Sequence, residues 1–172
     1  MGEVKVNWDA IGAVGEVAGA AGVIITLVYL AIQIRQNTKA IRLNTTSSTN
    51  EGFRSQAALI GSSIQVAEVY RMGLMEPEKL NLAEGVQFYA LLHNQVRGYE
   101  EAYYQHTEEA LDPRIWAGMH GQMLNTSALL GFKGYWQDRR NWYSSAFQNH
   151  VENVLFPNAQ PFVIGGSKSA NL

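Results

Sequence analysis

The sequence predicts an all-α protein: a single N-terminal transmembrane helix followed by a small helical bundle of about four to six helices. Three observations lead there. Between Asp9 and Arg35 the only formal charge is Glu16. Downstream, apolar residues recur at helical spacing between recognisable helix caps. No stretch alternates apolar and polar residues over a useful length, and no internal repeat of solenoid type is present.

The first element is the apolar run. Ala10 to Ile34 spans 25 residues, about 37 Å of helix, and a bilayer core needs about 20 such residues. A secretory signal fits less well. Lys5 is the only basic residue ahead of the run, and the small residues Ala18-Gly19-Ala20-Ala21 precede its most hydrophobic part. The segment is expected to stay in the chain. Val17 to Ile34 carries no charge and covers about 27 Å. Glu16 then falls at the rim, with Trp8 as an interfacial anchor. The other reading of Glu16 is a partner-facing or ion-linked carboxylate. Arg35, Lys39, Arg42 and Arg54 follow the run, so the positive-inside rule puts the N-terminus outside and the remainder in the cytoplasm.

One face of this helix is unusual. Gly12, Gly15, Gly19, Gly22, Thr26, Tyr29, Gln33 and Gln36 are spaced alternately three and four apart, which keeps them on one stripe. Every member is small or polar. Val14, Val17, Ala21, Ile24, Ile25, Val28 and Ile32 occupy the other side. Glycines admit a second backbone, and Gly15 and Gly19 form a GxxxG pair. Thr26, Tyr29 and Gln33 extend this helix-packing interface with groups able to bond across helices. A repeat of about 3.5 residues favours a left-handed crossing. The plainer reading is that glycine is common in membrane helices anyway.

The soluble elements follow in order. Residues 1–44 form the membrane helix and its cytoplasmic extension, which is expected to break among Thr45 to Asn50. Residues 45–156 form the helical domain, and 157–172 a tail. A helix is expected through "SQAALIGSSIQVAEVYRMGLM", interrupted at Gly61 and ended by Glu76-Pro77. Asn81 and Glu84 resemble a capping box for a long helix from Leu82 to Ala110. Phe88, Leu91, Leu92, Gln95, Tyr99, Ala102, Tyr103 and His106 trace its inner side. Asp112-Pro113 starts the next helix, with Ile115, Trp116, Met119, Met123 and Leu124 facing inward. A loop at Asn125–Gly131 precedes an aromatic helix from Phe132 to Tyr143. Ser144 or Ser145 caps the last helix, which Pro157 stops. "GGSKSANL" is expected to lie against something, a neighbouring chain included.

Composition narrows the chemistry. The chain has 172 residues, a net charge of −2 and no cysteine. It therefore offers no basic field for nucleic acid and no thiol chemistry. His93, His106, His120 and His150 follow no HExxH or Glu-x-x-His pattern, so each reads as structural. Glu100 and Glu101 point in different directions on a helix and read as a solvated face, as do Glu108 and Glu109. No phosphate-binding glycine loop is present. No catalytic residue, metal ligand or cofactor is assigned. In "GYWQDRRNWYSSAF", Trp136 and Trp142 lie roughly 120° apart around a helix and need not stack. Trp136, Arg139 and Arg140 can share a face. The structural reading is a Trp–Arg stack or an Arg–Glu bond to the long helix. The functional one is anion binding by Arg139 and Arg140.

"WDAIGAVGEVAGAAGVIITLVYLAIQIRQNTKAIR", "YEEAYYQHTEEALDPRIWAG" and "GFKGYWQDRRNWYSSAFQNHV" together cover most of the chain. They resemble uncharacterised bacterial proteins with one N-terminal transmembrane helix and a cytoplasmic all-helical domain, a family of unknown function. The resemblance implies a bacterial inner-membrane protein. It implies no activity and carries over no catalytic residue.

Three readings of function follow. The first is a non-enzymatic single-pass protein in contact with membrane lipid. It self-associates, or serves as an accessory or scaffolding subunit among unlike membrane proteins, through the stripe. The second is a membrane-anchored sensor or effector that binds a small anionic ligand in its helical domain. An enzyme comes third, because no site geometry suggests itself.

Overall fold

The computed structural model describes residues 7–160. The expected contact of the last eight residues falls outside them. The fold is all-α, and among the described residues no strand occurs. Among the described residues six α-helices run in order: α1 Trp8–Ile60, α2 Ile64–Met75, α3 Leu82–Thr107, α4 Pro113–Ser127, α5 Leu130–Arg139 and α6 Ser145–His150. Short turns of tighter or wider helix connect or extend them at Pro77–Lys79, Arg140–Trp142, Val151–Leu155 and Phe156–Asn158.

The chain divides after Ile41 into two units. In the first, α1 is long and apolar enough to cross a membrane. Residues 12–41 are exposed throughout, on the stripe and the aliphatic side alike.

Within the second unit α1 does not break among Thr45 to Asn50. It runs on to Ile60. The polar, β-branched run there has weak intrinsic helix preference, and packing overrides it. Thr49 bonds to Gln105 of α3 and to the carbonyl of Thr45. Gln56 donates to the Leu91 carbonyl at 3.0 Å and accepts from Asn94. Gly61 and Ser62 form the turn that follows.

Local chemistry sets the other boundaries. Ser63 accepts from the Val66 amide at 3.2 Å and opens α2. Asn81 and Glu84 complete a reciprocal capping box at the start of α3, at 3.0 and 2.9 Å. Asp112 accepts from the Arg114 amide at 2.9 Å, with Pro113 in the first turn of α4. Ser144 caps α6. Two boundaries differ from expectation. The Asn125–Gly131 stretch is mostly helical, because α4 reaches Ser127 and α5 begins at Leu130. Pro157 does not stop the last helix at once: it is the second residue of the tight turn Phe156–Asn158, which ends it.

α3 is the centre of the core. Phe88, Leu92, Val96, Tyr99 and Ala102 are buried among Val69 and Leu74 of α2, Met119 and Met123 of α4, and Phe132, Tyr135 and Trp136 of α5. Phe147, Val151 and Leu155 close it from the last helix. α2 and α5 meet through their backbones. A Cβ on Gly131 would overlap the Gly73 carbonyl oxygen, and one on Gly73 would overlap the Phe88 ring. A hydrogen-bonded line threads the same core. Tyr70 donates to Gln95, Gln95 donates to Tyr99 at 2.7 Å, and Tyr99 meets Thr126 at 3.3 Å. Gln95 is buried but bonded on both its oxygen and its nitrogen, which is what makes it tolerable there. Burial pushes the Tyr99 phenol up to about 12.

Candidate functional site

Arg139 and Arg140 lie on opposite sides of a helix end and take different partners. Arg140 pairs with Glu152 at 3.0 Å, and the same carboxylate receives the Trp136 indole N–H at 3.3 Å. Arg139 forms no acid pair among the described residues. Its guanidinium lies 4.9 Å from the Trp142 ring centre and 5.5 Å from that of Tyr89, and one N–H donates to the Asp138 carbonyl at 3.2 Å. The Trp–Arg stack therefore uses Trp142 and not Trp136, which is buried in the core. The Arg–Glu bond runs to the last helix and not to the long one.

Arg139 stands at the rim of an open groove of about 590 Å³. Leu80, Val86, Tyr89, His93, Tyr135 and Trp142 are among its lining. Among the described residues that line it, Arg139 is the only one with a full charge. The volume lies within the range of small-molecule sites. Asp138 is close by, its carboxylate accepting from the Tyr89 hydroxyl at 2.7 Å. Burial, then Asp138, pushes the Tyr89 phenol up to about 12.

The floor of the groove is a neutral hydrogen-bonded trio. Tyr135 bonds His93 Nδ1 at 2.8 Å and Tyr143 at 2.6 Å. Burial raises both phenols, and for Tyr143 its bond to Tyr135 adds to the rise. Burial, then Arg97, holds His93 below its usual range.

Behind the trio, Glu100 is not a solvated carboxylate. It is 8% exposed. It accepts from the Ser144 amide at 2.8 Å and from Arg97 at 2.7 Å. Arg97 in turn donates to the Trp142 carbonyl at 2.8 Å and lies over the Tyr143 ring at 4.6 Å. α3 thus pins the segment that carries Trp142. Glu101 does face solvent and accepts from Gln105.

No family model matches the chain, and no curated protein or solved structure does.

On α1, Gly12, Gly15, Gly19 and Gly22 face open space, with nothing within 4 Å of where a Cβ would stand. Thr26 donates to the Gly22 carbonyl at 2.9 Å, and Gln33 to the Tyr29 hydroxyl at 2.7 Å. These polar members are satisfied along the helix, so the glycine half is where a second backbone could approach.

The histidines regroup. His106, His120 and His150 come from different helices to surround Trp116, with ring centres 4.4, 5.2 and 6.0 Å from it. His120 and His150 are 5.3 Å apart, and Tyr103 covers His150 at 4.7 Å. Among the described residues no group of three or more histidines and acids is placed to hold a metal ion. The cluster packs as aromatic rings, and His150 Nε2 is buried with no hydrogen-bond partner.

Sequence reading singled out Arg139 but missed Tyr89 and His93, which arrive from α3. Trp142 carried a usable signal: it lies three residues beyond Arg139.

Proposed function

We propose that this chain is a non-enzymatic single-pass protein of the bacterial inner membrane. It associates with copies of itself, or with unlike membrane subunits, through the stripe on α1. The N-terminus lies outside and the helical domain in the cytoplasm. The observation that carries the reading is the open glycine half: Gly12, Gly15, Gly19 and Gly22 stand in line with no atom over them. Small residues in line let a second helix approach closely enough for backbone packing, the main attraction available between helices in lipid. Arg35, Lys39 and Arg42 support the orientation. The bacterial placement rests on the family resemblance of the three quoted stretches.

The test is a native mass of the full chain taken from its own membrane in mild detergent. A fixed stoichiometry is expected. Gly19→Leu should disperse it, because a leucine side chain holds the backbones apart. Ile24→Leu, on the aliphatic side, should leave it intact. A wild-type protein that runs as a lone chain overturns the proposal.

A second reading is favoured by the groove at Arg139: a membrane-anchored sensor whose helical domain binds a small anion and whose association responds. Under it, the native mass should change when the groove is filled.

A further inference from the structure

We propose that the groove between Leu80, Val86 and Trp142 binds an aromatic monocarboxylic acid, its carboxylate on Arg139 and its ring among Tyr89, His93 and Trp142. The inference rests on the sensor reading and names its ligand class.

The charge comes first. The Arg139 guanidinium carbon lies over the Trp142 and Tyr89 rings, and of its N–H groups one goes to the Asp138 carbonyl. The in-plane fork matches a carboxylate. No acid side chain pairs with Arg139 among the described residues, in contrast to Arg140, which Glu152 neutralises. An anion therefore gains a contact without displacing an internal one.

The number of charges comes next. Among the described residues, Arg139 is the one cation lining the groove. The neighbouring acid Asp138 lies 2.7 Å from the Tyr89 hydroxyl, and the Lys79 ammonium is taken by Glu76. His93 is held towards neutrality. A dianionic phosphate would meet one guanidinium and a repelling carboxylate, so a single negative charge fits better.

The body of the ligand follows from the walls. Tyr89, His93, Tyr135 and Trp142 bring aromatic rings to its lining, and Val86 and Leu80 aliphatic side chains. Val86 is 66% exposed and Trp142 54%, so the groove stands open to a flat ring. Aromatic stacking there would add to the area buried.

The full chain, in lipid nanodiscs, is titrated with 2-naphthoate and followed by tryptophan fluorescence. Saturable quenching is expected, with binding at least tenfold weaker for neutral 2-naphthamide and for 2-naphthyl phosphate. Arg139→Gln should lose at least tenfold. Val86→Glu, an exposed change that puts a negative charge in the groove without touching the core, should lose as much. Arg140→Gln should bind as wild type. Absence of saturable quenching, or equal binding by Arg139→Gln or Val86→Glu, overturns the proposal. Tighter, Arg139-dependent binding of the phosphate ester overturns the carboxylate class and leaves the sensor reading standing. Binding of 2-naphthoate with no change in native mass upholds the ligand class and removes the sensor reading.

Discussion

Gly131→Ala should cost the helical domain about 3 kcal/mol, whereas Gly134→Ala, nearly one turn further along the same helix, should add up to about 1 kcal/mol. In an exposed helix interior, alanine is favoured over glycine because the backbone loses less freedom on folding. Gly134 has nothing within 4 Å of its Cβ position and should show that gain alone. At Gly131 the new methyl would enter the Gly73 carbonyl oxygen and lie 2.8 and 2.9 Å from Gly73 C and Leu74 Cα. All three are backbone atoms of α2. They cannot swing aside as a side chain would, so α2 and α5 must part. Parting them uncovers Phe88, Phe132 and Leu74, each 2% exposed or less. Gly73→Ala should fail for a related reason, since its methyl meets the ring of Phe88. Thermal unfolding followed by circular dichroism gives the comparison, and equal melting temperatures for the Gly131 and Gly134 variants would show the crossing to be loose.

Acidification should destabilise the same domain, chiefly through His150. Burial, then the neighbouring His120 and His106, lowers its pKa from 6.5 to about 4 in the folded chain. His120 is lowered too, by burial first and His106 second. No carboxylate bonds to these rings among the described residues; they face Tyr103, Trp116 and Phe147. A lowered histidine pKa means that the unfolded chain takes up the proton first. Stability is therefore full above about 6.5 and falls as the pH drops towards about 4. The full shift would be worth about 3 kcal/mol, and partial exposure of the ring reduces it to about 1–2 kcal/mol. The melting temperature should fall between about pH 7 and about pH 4.5, and His150→Phe should flatten much of that slope. An unchanged slope in the variant would mean that other groups carry the acid response.

What could be read from the sequence was what local chemistry decides. Asn81 with Glu84, Asp112 with Pro113, and Ser144 set helix starts through bonds a few residues long, and their patterns are visible without a fold. The apolar inner side of α3 was legible because one periodicity governs it from Phe88 to Ala102. What depends on two helices meeting was not legible. Gly73 looks like an ordinary weak point in a helical pattern, and Gly131 like the end of a loop, until α2 crosses α5. Glu100 has the same sequence surroundings as Glu101, and only the return of Ser144 to α3 buries one of them. The polar run Thr45 to Asn50 reads as a break because the bonds from Thr49 and Gln56 to α3 are not encoded locally. At the candidate site, Arg139 stood out in sequence, but its aromatic cradle draws Tyr89 and His93 from more than forty residues away.

The second half of α1, after Ile41, is held to the domain in a way that bears on motion. Thr49, Gln56, Asn94 and Gln105 join it to α3 by amides and hydroxyls, with Phe53 as the main apolar contribution. Water can replace bonds of that kind, which leaves the packing of Phe53 on the Tyr99 ring as the apolar contact to be broken. The remaining helices, locked by aromatic packing and by backbone touching backbone, have no such exchange open to them. The segment that leads into the apolar half of α1 is thus the part of the domain expected to open first while the rest stays folded.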